Sequence, residues 1–395
     1  MSGPRSVVAA LHLPEPSGPS RALQPVLEHL SRDASVVVAV PCLGRTAEEL
    51  RGVARVEPLG HGPLMFPRGL RDIPRVAACL RSDTRRFRAL LRRERADLAI
   101  ISTTTLPALA LAARLERVPS IVYATELYRQ GRRSDVARMP ARVASFAANA
   151  RLATVTVTCS RTVEAELPRG TRSYVMYPPI DPLPAPGDAA SFRARFGIPA
   201  TSPTLATLGN VSRGRGQDVA IRAVADLRRD LPGARLIVAN APHPREADLA
   251  YAAELAGLAE RLGVADAVHF CGLADRADVF AASDVVVNPA RFAETFGIVA
   301  TEALVAGVPV VSTDVGAVPE VLGHERHALL VPSDRPETMA AAVRRLVAEP
   351  ELAARLVDDG RAHVLASYSR ERQLPRFDEA VAAALGAGAN GASAR

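Results

Sequence analysis

Two glutamates, Glu294 and Glu302, are candidates for binding a sugar, because carboxylate oxygens accept hydrogen bonds from hydroxyl groups. They lie in the segment 285–320, VVVNPARFAETFGIVATEALVAGVPVVSTDVGAVPE. The pattern of this segment predicts a strand that ends at Asn288 and a helix over residues 295–306. At a helical rise of about 1.5 Å per residue, the two carboxylates are at most roughly 12 Å apart, about the length of a sugar diphosphate ending in a ribose. One carboxylate could bind a transferred sugar and the other the ribose.

The first turn of this helix is a candidate anion site, because its backbone N–H groups have no partners within the helix. The turn is made of Thr295, Phe296, Gly297 and Ile298. In the alternative, structural interpretation, Glu294 caps the helix and Glu302 is solvated on its face. The apolar surroundings of Glu302, IVATEALVAG, favour a functional role, since an unpaired buried carboxylate is costly.

A glycine-rich turn, LGNVSRGRGQD at 208–218, is a second candidate phosphate site. It follows a predicted strand and opens a predicted helix, and its three glycines, Gly209 among them, free the backbone to curve around an anion. Arg215 and Arg213 could add planar guanidinium donors that neutralise a leaving diphosphate without a metal ion. An ordinary surface turn is the alternative.

The elements that must position these residues alternate between strands and helices, which predicts an α/β fold with two doubly wound parallel sheets. The length of 395 residues is enough for two or three domains. The predicted strands are Ser6–Leu13, Ser35–Val40, Leu98–Ser102, Ser120–Ala124 and Thr154–Cys159, then Thr204–Leu208, Arg235–Ala239, Ala267–Phe270, Val285–Asn288, Val308–Ser312 and Leu329–Val331. Because such sheets bind ligands beyond the carboxyl ends of their strands, we expect the two domains to face each other across a cleft.

The stretch YPPIDPLPAPGD at 177–188 separates the two halves, since its five prolines cannot join a sheet ladder or a helix interior. The expected divisions are an N-terminal domain over 1–178, a linker over 179–190, a C-terminal domain over 191–368, a closing helix over 369–385 and a disordered tail over 386–395.

Two residue types are missing, and their absence excludes several chemistries. All 49 basic residues are arginine, so the chain has neither a Schiff-base lysine for pyridoxal phosphate nor the lysine of a Walker A loop. The chain also has no tryptophan, which removes the best stacking platform for a sugar or a base. The four cysteines are scattered, and His324 and His327 lack a third ligand, so we expect no metal site and no cofactor.

The basic composition predicts no nucleic-acid site, because the arginines behind the net charge of +7 are interspersed with acids and lack interleaved aromatic residues. No apolar run approaches the roughly 18 residues of a membrane span. The cluster Arg81–Arg95 predicts an amphipathic helix with a solvated face, and contact with anionic lipid is the alternative. The segment 1–13 is too short in its apolar run for a signal peptide, so we expect a cytoplasmic protein; peripheral contact at the inner membrane face through that helix is the alternative.

Together, GNVSRGRGQD and ETFGIVATEALVAGVPVVSTDVGAVPEV resemble the donor-binding half of the GT-B retaining glycosyltransferases of family 4, the group 1 family. HALLVPSDRPE and FCGLAD are also similar to this family, so the resemblance covers nearly all of the C-terminal half; the N-terminal half matches more loosely. The resemblance implies a GT-B fold of two Rossmann-like domains, with the donor bound by the C-terminal domain and the acceptor by the N-terminal one.

The resemblance also implies roles for individual residues on the donor side. Glu294 would contact the donor sugar and Glu302 the ribose, while Arg215 falls where the family has a lysine. Asn210 falls where many members have an arginine, for which Arg213 could substitute. The implied donor-binding residues are Gly209, Asn210, Arg213, Arg215, Leu273, Glu294, Thr295, Phe296, Gly297, Ile298 and Glu302.

On the acceptor side, Ser17 and Gly18 match an N-terminal loop that often has two glycines in the family. Thr125 and Glu126 fall where many members have a histidine near the acceptor. Glu126 is therefore a candidate catalytic residue, beside Glu294 and Arg215.

The implied reaction moves a glycosyl group from a nucleotide-diphosphate sugar, most commonly a UDP-sugar in the family, to an acceptor with retention of configuration and without a metal ion. A sugar-nucleotide epimerase and an inactive GT-B module that binds a nucleotide or a partner protein remain alternatives. A glycogen-type phosphorylase is excluded, because it needs a lysine. The sequence leaves the acceptor, the sugar, the base and the oligomeric state open.

Overall fold

The structure is a computed structural model that describes residues 3–63, 70–128, 139–182, 187–242, 246–291 and 294–392. The chain forms two compact units. The first contains residues 1–179 and 370–395, and the second contains residues 180–369. Part of the expected linker, residues 183–186, lies outside the described residues.

The first unit is built on a parallel sheet of seven strands in the order β3-β2-β1-β4-β5-β6-β7. Its strands are β1 Ser6–Ala10, β2 Ser35–Val40, β3 Arg55–Pro58, β4 Leu98–Ile101, β5 Ser120–Ala124, β6 Val155–Thr158 and β7 Ser173–Val175. Its helices are α1 Gly18–Leu30, α2 Arg45–Glu49, α3 Ile73–Glu94, α4 Pro107–Glu116, α5 Met139–Leu152, α6 Arg161–Glu164 and, at the end of the chain, α15 Arg370–Ala392.

The second unit has a parallel sheet of six strands in the order β10-β9-β8-β11-β12-β13. Its strands are β8 Thr204–Leu208, β9 Arg235–Ala239, β10 Val268–Gly272, β11 Val285–Asn288, β12 Val310–Thr313 and β13 Leu329–Val331. Its helices are α7 Ala189–Arg195, α8 Gln217–Leu227, α9 Glu246–Arg261, α10 Arg276–Ala281, α11 Ile298–Val305, α12 Val318–Val321, α13 Pro336–Ala348 and α14 Pro350–Tyr368.

Both sheets are formed by short runs of β-branched and small apolar residues that are buried on both faces. Strand β11, for example, is VVVN with every residue buried, and it pairs in parallel with β8 and β12. Such continuous apolar strands are typical of parallel sheets covered by helices on two sides. The α/β fold with two doubly wound parallel sheets is thus confirmed.

Each sheet has one point where the chain reverses the direction in which strands are added: between β1 and β4 in the first unit, and between β8 and β11 in the second. The loops that leave two such neighbouring strands diverge, which opens a crevice at the carboxyl edge of the sheet. The segments carrying Arg215 and Glu294 follow β8 and β11, so they lie at this point of the second sheet.

The structure contains two strands that the sequence pattern did not predict. Strand β3, RVEP, and strand β7, SYV, are the two edge strands of the first sheet, and neither contains a fully buried residue. Edge strands of this kind lack the apolar run by which strands are recognised. The first strand is also shorter than expected, since it ends at Ala10 and not at Leu13.

The end of the chain differs from the expected closing helix over 369–385 and disordered tail from 386. Helix α15 continues to Ala392, and residues 393–395 lie outside the described residues. The added residues, GAGANGA at 386–392, include three glycines, which disfavour a helix, and nothing in the structure explains the extension. Helix α15 packs in the first unit, where it contacts α1, β5, β6 and β7, although it follows the second unit in the chain.

The ends of the second unit meet each other. The backbone N–H of Ile180 donates a hydrogen bond of 2.7 Å to the carbonyl oxygen of Tyr368. The second unit is therefore inserted into the first, and the chain enters it and leaves it at neighbouring positions.

Helix α3 carries the arginine cluster, and it is amphipathic as predicted, with Phe87, Leu90 and Leu91 fully buried. Several of its arginines form ion pairs with acids of the same unit: Arg86 with Asp83, Arg88 and Arg92 with Glu116, and Arg93 with Glu57 and Glu94. Within the described ranges, no helix combines the length and the apolar character that crossing a bilayer requires.

Candidate functional site

The candidate donor site is formed by three loops at the carboxyl edge of the second sheet, which follow β8, β11 and β12. The loops are locked together by close backbone contacts. A Cβ atom on Gly216 would lie 2.0 Å from the carbonyl oxygen of Pro289, and the N–H of Arg291 donates to the carbonyl oxygen of Gly214 at 2.9 Å. Only glycine fits at position 216, which also has a φ of +69°.

Glu294 is held at the centre of this site. Its carboxylate forms an ion pair with Arg215, and its side chain is 10% exposed against 44% for the arginine. Its carbonyl oxygen accepts a hydrogen bond of 2.8 Å from the N–H of Ala317, in the loop after β12. A Cβ atom on Gly316 would lie 2.1 Å from that same oxygen, so the glycine lets the loop close over Glu294.

The helix that follows Glu294 begins later than the sequence pattern predicts. It starts at Ile298 and not near Thr295, because Gly297, with a φ of +96°, occupies the position before the first helical residue. No side chain caps this end of the helix, so Glu294 is not its cap. The first N–H groups of a helix have no partners inside the helix, and such a helix start is the kind of element that binds anions.

Phe296 anchors the turn before this helix. It is 2% exposed and packs edge-on against Tyr368, with ring centroids 5.2 Å apart. Its side chain thus belongs to the core of the unit.

Glu302 lies on α11 and forms an ion pair with Arg276, the first residue of α10. The carboxylate is nearly buried, with a side chain 11% exposed, and its Oε2 atom has no hydrogen-bond partner among the described residues. Leu273, three residues before Arg276, is 60% exposed. A guanidinium and a carboxylate are therefore paired at this end of the site.

Arg213 has a different position from Arg215 in the same turn. Its guanidinium forms an ion pair with Glu254 on α9 and lies over the ring of Tyr251, 5.1 Å from the centroid. The carbonyl oxygen of Asn210 accepts a hydrogen bond of 3.1 Å from the side chain of Gln217, which ties the turn to the start of α8. Of the two arginines, the structure brings Arg215 to Glu294.

Arg291, which the sequence analysis did not single out, joins two of the loops. Its guanidinium donates two hydrogen bonds to Asp218, at 2.7 and 2.6 Å, and one of 2.9 Å to the carbonyl oxygen of Arg213. Burial by itself would raise the pKa of Asp218, but hydrogen bonds from Arg291 and Tyr251 outweigh it, and the pKa is lowered. Asp218 is therefore ionised, and its bidentate pair with Arg291 fixes the glycine-rich turn beside Glu294.

In the first unit, Ser17 and Gly18 lie at the start of α1, beyond the carboxyl end of β1. Ser17 caps this helix, and Ser20 completes a reciprocal capping box with it. A Cβ atom on Gly18 would have no heavy atom within 4 Å. The loop is thus a regular helix start, and its glycine lies in open space.

Glu126 follows β5 at the carboxyl edge of the first sheet, where a run of threonines after β4 surrounds it. Thr103 donates to one carboxylate oxygen. The other oxygen accepts from the hydroxyl of Thr104 at 2.9 Å and from the N–H of Thr125 at 3.2 Å. Burial raises the pKa of Glu126 to about 7, although the hydrogen bonds from Thr104 and Thr125 act in the opposite direction. A carboxyl group of this kind can hold or release a proton near neutral pH.

The residues missed from sequence are those whose partners are far away in the chain. Arg291 and Asp218 are 73 residues apart, and Arg276 and Glu302 are 26 apart. One local signal was available for Arg276, since a cation in the first turn of a helix is unfavourable and suggests an acidic partner. No comparable signal marks Arg291.

The architecture of the chain can be compared with that of solved structures. Two doubly wound parallel sheets, each with one point of strand reversal, are the architecture of the GT-B fold. The structure of Anabaena HepE in complex with UDP and glucose superposes with a TM-score of 0.81 over 95% of this chain and 99% of that one, at 19% identity. WaaG, a glycosyltransferase involved in lipopolysaccharide biosynthesis, superposes with a TM-score of 0.67 over 95% and 98%, at 18% identity.

Residues 188–363, which make up most of the second unit, match the family model of glycosyl transferases group 1. The D-inositol 3-phosphate glycosyltransferase of Saccharomonospora viridis is 38% identical over 183 residues, which cover 45% of this chain and 42% of that protein. Its counterpart in Mycobacteroides abscessus is 36% identical over 180 residues, 45% of this chain and 39% of that protein. The match thus spans less than half the length of these curated relatives. The family resemblance stated from the sequence motifs is confirmed.

Proposed function

We propose that this protein is a glycosyltransferase that moves a sugar from a nucleotide-diphosphate sugar, such as a UDP-sugar, to an acceptor with retention of configuration and without a metal ion. The observation that carries the proposal is the contact between Arg215 and Glu294 beside the start of α11, which no side chain of the described residues caps. This contact supports a donor site in which the guanidinium and the helix start bind the diphosphate and the carboxylate binds the sugar.

In the proposed reaction, charge develops on the diphosphate as its bond to the sugar breaks. The N–H groups at the start of α11 and the guanidinium of Arg215 stabilise this charge, because both are fixed before the substrate arrives. Arg215 has five N–H donors, so it can contact a phosphate oxygen while Glu294 holds part of it in place. Glu294 accepts hydrogen bonds from sugar hydroxyls and thereby orients the anomeric carbon.

No side chain is required as a nucleophile in this proposal. The acceptor hydroxyl attacks from the face that the diphosphate leaves, and a phosphate oxygen takes its proton, so the configuration is retained. Glu126 remains a proposed catalytic residue on the acceptor side, because its carboxyl group can exchange a proton near neutral pH. Ser17 and Gly18 are proposed to contact the acceptor.

The UDP complexes of HepE and the curated D-inositol 3-phosphate glycosyltransferases support a nucleotide sugar as donor and a hydroxyl-bearing acceptor. The identity of the acceptor is tested by incubating a UDP-sugar with a panel that includes inositol phosphates. NMR of the product determines its anomeric configuration. Measuring the transferase activity in excess EDTA shows whether the reaction depends on a metal ion. Inversion, or a loss of activity with EDTA that Mg²⁺ restores, would contradict the corresponding part of the proposal.

The decisive variant is Arg215→Gln, which removes the cation from a side chain that is 44% exposed. We expect kcat to fall by about 100- to 1000-fold, as for the loss of one charge-stabilising donor, with little change in Tm. Arg229→Gln is the matched control, because Arg229 is 78% exposed and pairs only with Asp226. Equal activity of the two variants would contradict the proposal.

The same assay separates the alternatives. An epimerase would interconvert the sugar without consuming an acceptor, and an inactive module would bind nucleotide without any turnover. Cytoplasmic location and peripheral membrane contact through Arg81–Arg95 also remain proposals. Flotation with vesicles of anionic and of neutral lipid tests the contact.

A further inference from the structure

Glu302 is a carboxylate in an apolar setting, and among the described residues its side chain is paired with Arg276 alone. It lies in the sequence IVATEALV of α11, where its neighbours Thr301 and Ala303 are fully buried, and its own side chain is 11% exposed. An isolated carboxylate at such a position would be protonated or would destabilise the fold. The ion pair with Arg276 offsets part of the cost of burying this carboxylate.

The two oxygens of this carboxylate differ. Oε1 accepts from the guanidinium of Arg276, whereas Oε2 is buried and has no hydrogen-bond partner among the described residues. A buried acceptor without a partner costs free energy unless a ligand supplies a donor. The unpaired Oε2 therefore indicates that a donor group from a ligand belongs there.

Arg276 itself is rigidly placed. Asp275 caps α10 by accepting a hydrogen bond of 2.7 Å from Ala277, and Asp278 accepts one of 2.8 Å from the N–H of Asp188. Gly187 packs so closely on this turn that a Cβ atom would lie 2.0 Å from the carbonyl oxygen of Ala277. Because the backbone of α10 is fixed on two sides, Arg276 can fix the carboxylate.

We propose that Arg276 is a positioning residue. It holds Oε1 of Glu302 so that Oε2 receives a ribose hydroxyl, and the site thereby selects ribonucleotide over deoxyribonucleotide donors. This inference rests on the proposed function, since it takes the ligand of the site to be a nucleoside diphosphate.

The test measures nucleotide affinity by calorimetry on the full chain. UDP, GDP and ADP are compared first, and the tightest is then compared with its 2′,3′-dideoxy form. For the unaltered protein we expect the dideoxy form to bind about 10- to 100-fold more weakly, as for loss of a hydrogen bond to a charged group. In Arg276→Gln, we expect this preference to fall to within about threefold, and Arg276→Lys should restore part of it.

A double-variant cycle with Glu302→Gln separates positioning from direct contact. If Arg276 acts through Glu302, the Arg276→Gln change should have little further effect on ribonucleotide preference in the Glu302→Gln background. Arg229→Gln serves as the control for loss of a surface arginine.

Two failures are distinguishable. If none of the three nucleotides binds the unaltered protein, the proposed function is overturned together with this inference. If a nucleotide binds but Arg276→Gln keeps the full preference for the ribose form, or if the two substitutions act additively, only the role of Arg276 is overturned.

Discussion

At the scale of single residues, both proposed donor-binding carboxylates are paired with arginine. Arg215 pairs with Glu294 and Arg276 with Glu302. Since the chain has no lysine, every ion pair of this kind uses a planar guanidinium with several donors. Such a group can bind one carboxylate and still direct other N–H groups to a ligand, which a single ammonium does less readily.

Glu126 should make stability depend on pH in a defined direction. Its pKa is raised to about 7 in the folded protein, above the ordinary value near 4.5, so folding favours the protonated form. The resulting stability is complete below about pH 4.5 and is lost as the pH rises through 7. We expect the free energy of unfolding to fall by about 1–3 kcal/mol between pH 5 and pH 8.5, and Glu126→Gln to remove this loss. Urea unfolding at several pH values measures it; parallel curves for the two proteins would contradict the prediction.

Gly316 should be required for the geometry of Glu294. Alanine there would place a Cβ atom 2.1 Å from the carbonyl oxygen of Glu294, in addition to straining a φ of +62°. Gly263 has a similar φ of +67° but open space around it, so Gly263→Ala reports the strain alone, about 1–2 kcal/mol. We expect Gly316→Ala, unlike Gly263→Ala, to weaken nucleotide binding at least tenfold in calorimetry. Equal affinity in both variants would show that the close contact is unimportant.

The candidate residues could be predicted from sequence where the signal was local. The turn with Arg215 and the segment with Glu294 were recognised because glycines and an apolar helix surround them. The pairing of these two residues, 79 positions apart, depends on which strands are neighbours in the sheet. The start of α11 at Ile298 depends on the positive φ of Gly297, which the sequence leaves undetermined.

At the scale of elements, the loops after β8, β11 and β12 hold one another in place, because each is packed against the backbone of the next. The fold was predictable at this level, since nearly every buried strand is a run of valine, isoleucine, leucine or alanine. The edge strands β3 and β7 were missed for the opposite reason: their side chains are partly exposed and mixed in character.

Helix α14 is joined to the loop before β13 by two stacked histidines, which should make this contact sensitive to acid. The rings of His327 and His363 lie 4.1 Å apart and nearly parallel, and His327 accepts a hydrogen bond of 3.1 Å from the N–H of Gly323. Burial, followed by the charges of His363 and Arg326, lowers the pKa of His327 to about 4.

Because the folded pKa of His327 lies below the ordinary value near 6.5, its contribution to stability is present above pH 6.5 and is lost as the pH falls toward 4. We expect a loss of about 1–3 kcal/mol over that range, which His327→Gln should reduce, since glutamine can accept the same hydrogen bond without titrating. Denaturant unfolding of the two proteins at pH 7 and pH 4.5 measures the difference. Identical losses would contradict the prediction.

At the scale of the whole molecule, the second unit is an insertion in the first, and helix α15 completes the first unit from the far end of the chain. The sequence pattern located the first boundary between the two units at the prolines near residue 179. The return lies between residues 369 and 370, one residue after the division that was expected at residue 368, and Ser369 separates the two helices there.

The second unit should fold alone, because it has its own continuous core around β8, β9 and β11. We expect a fragment over residues 180–369 to unfold cooperatively and to bind a nucleoside diphosphate within about threefold of the full chain. Removing residues 370–395 should instead destabilise the first unit, since Phe377, Ala380 and Ala384 of α15 are fully buried. Calorimetry of both shortened chains tests this; a fragment 180–369 that is unfolded would contradict it.

The hydrogen bond between Ile180 and Tyr368 has a consequence for engineering. A module whose two ends are adjacent can be exchanged as one contiguous cassette, without re-routing the host chain. If the proposed function holds, grafting the corresponding module of a relative between residues 179 and 370 should change which nucleotide sugar is used and leave the choice of acceptor unaltered.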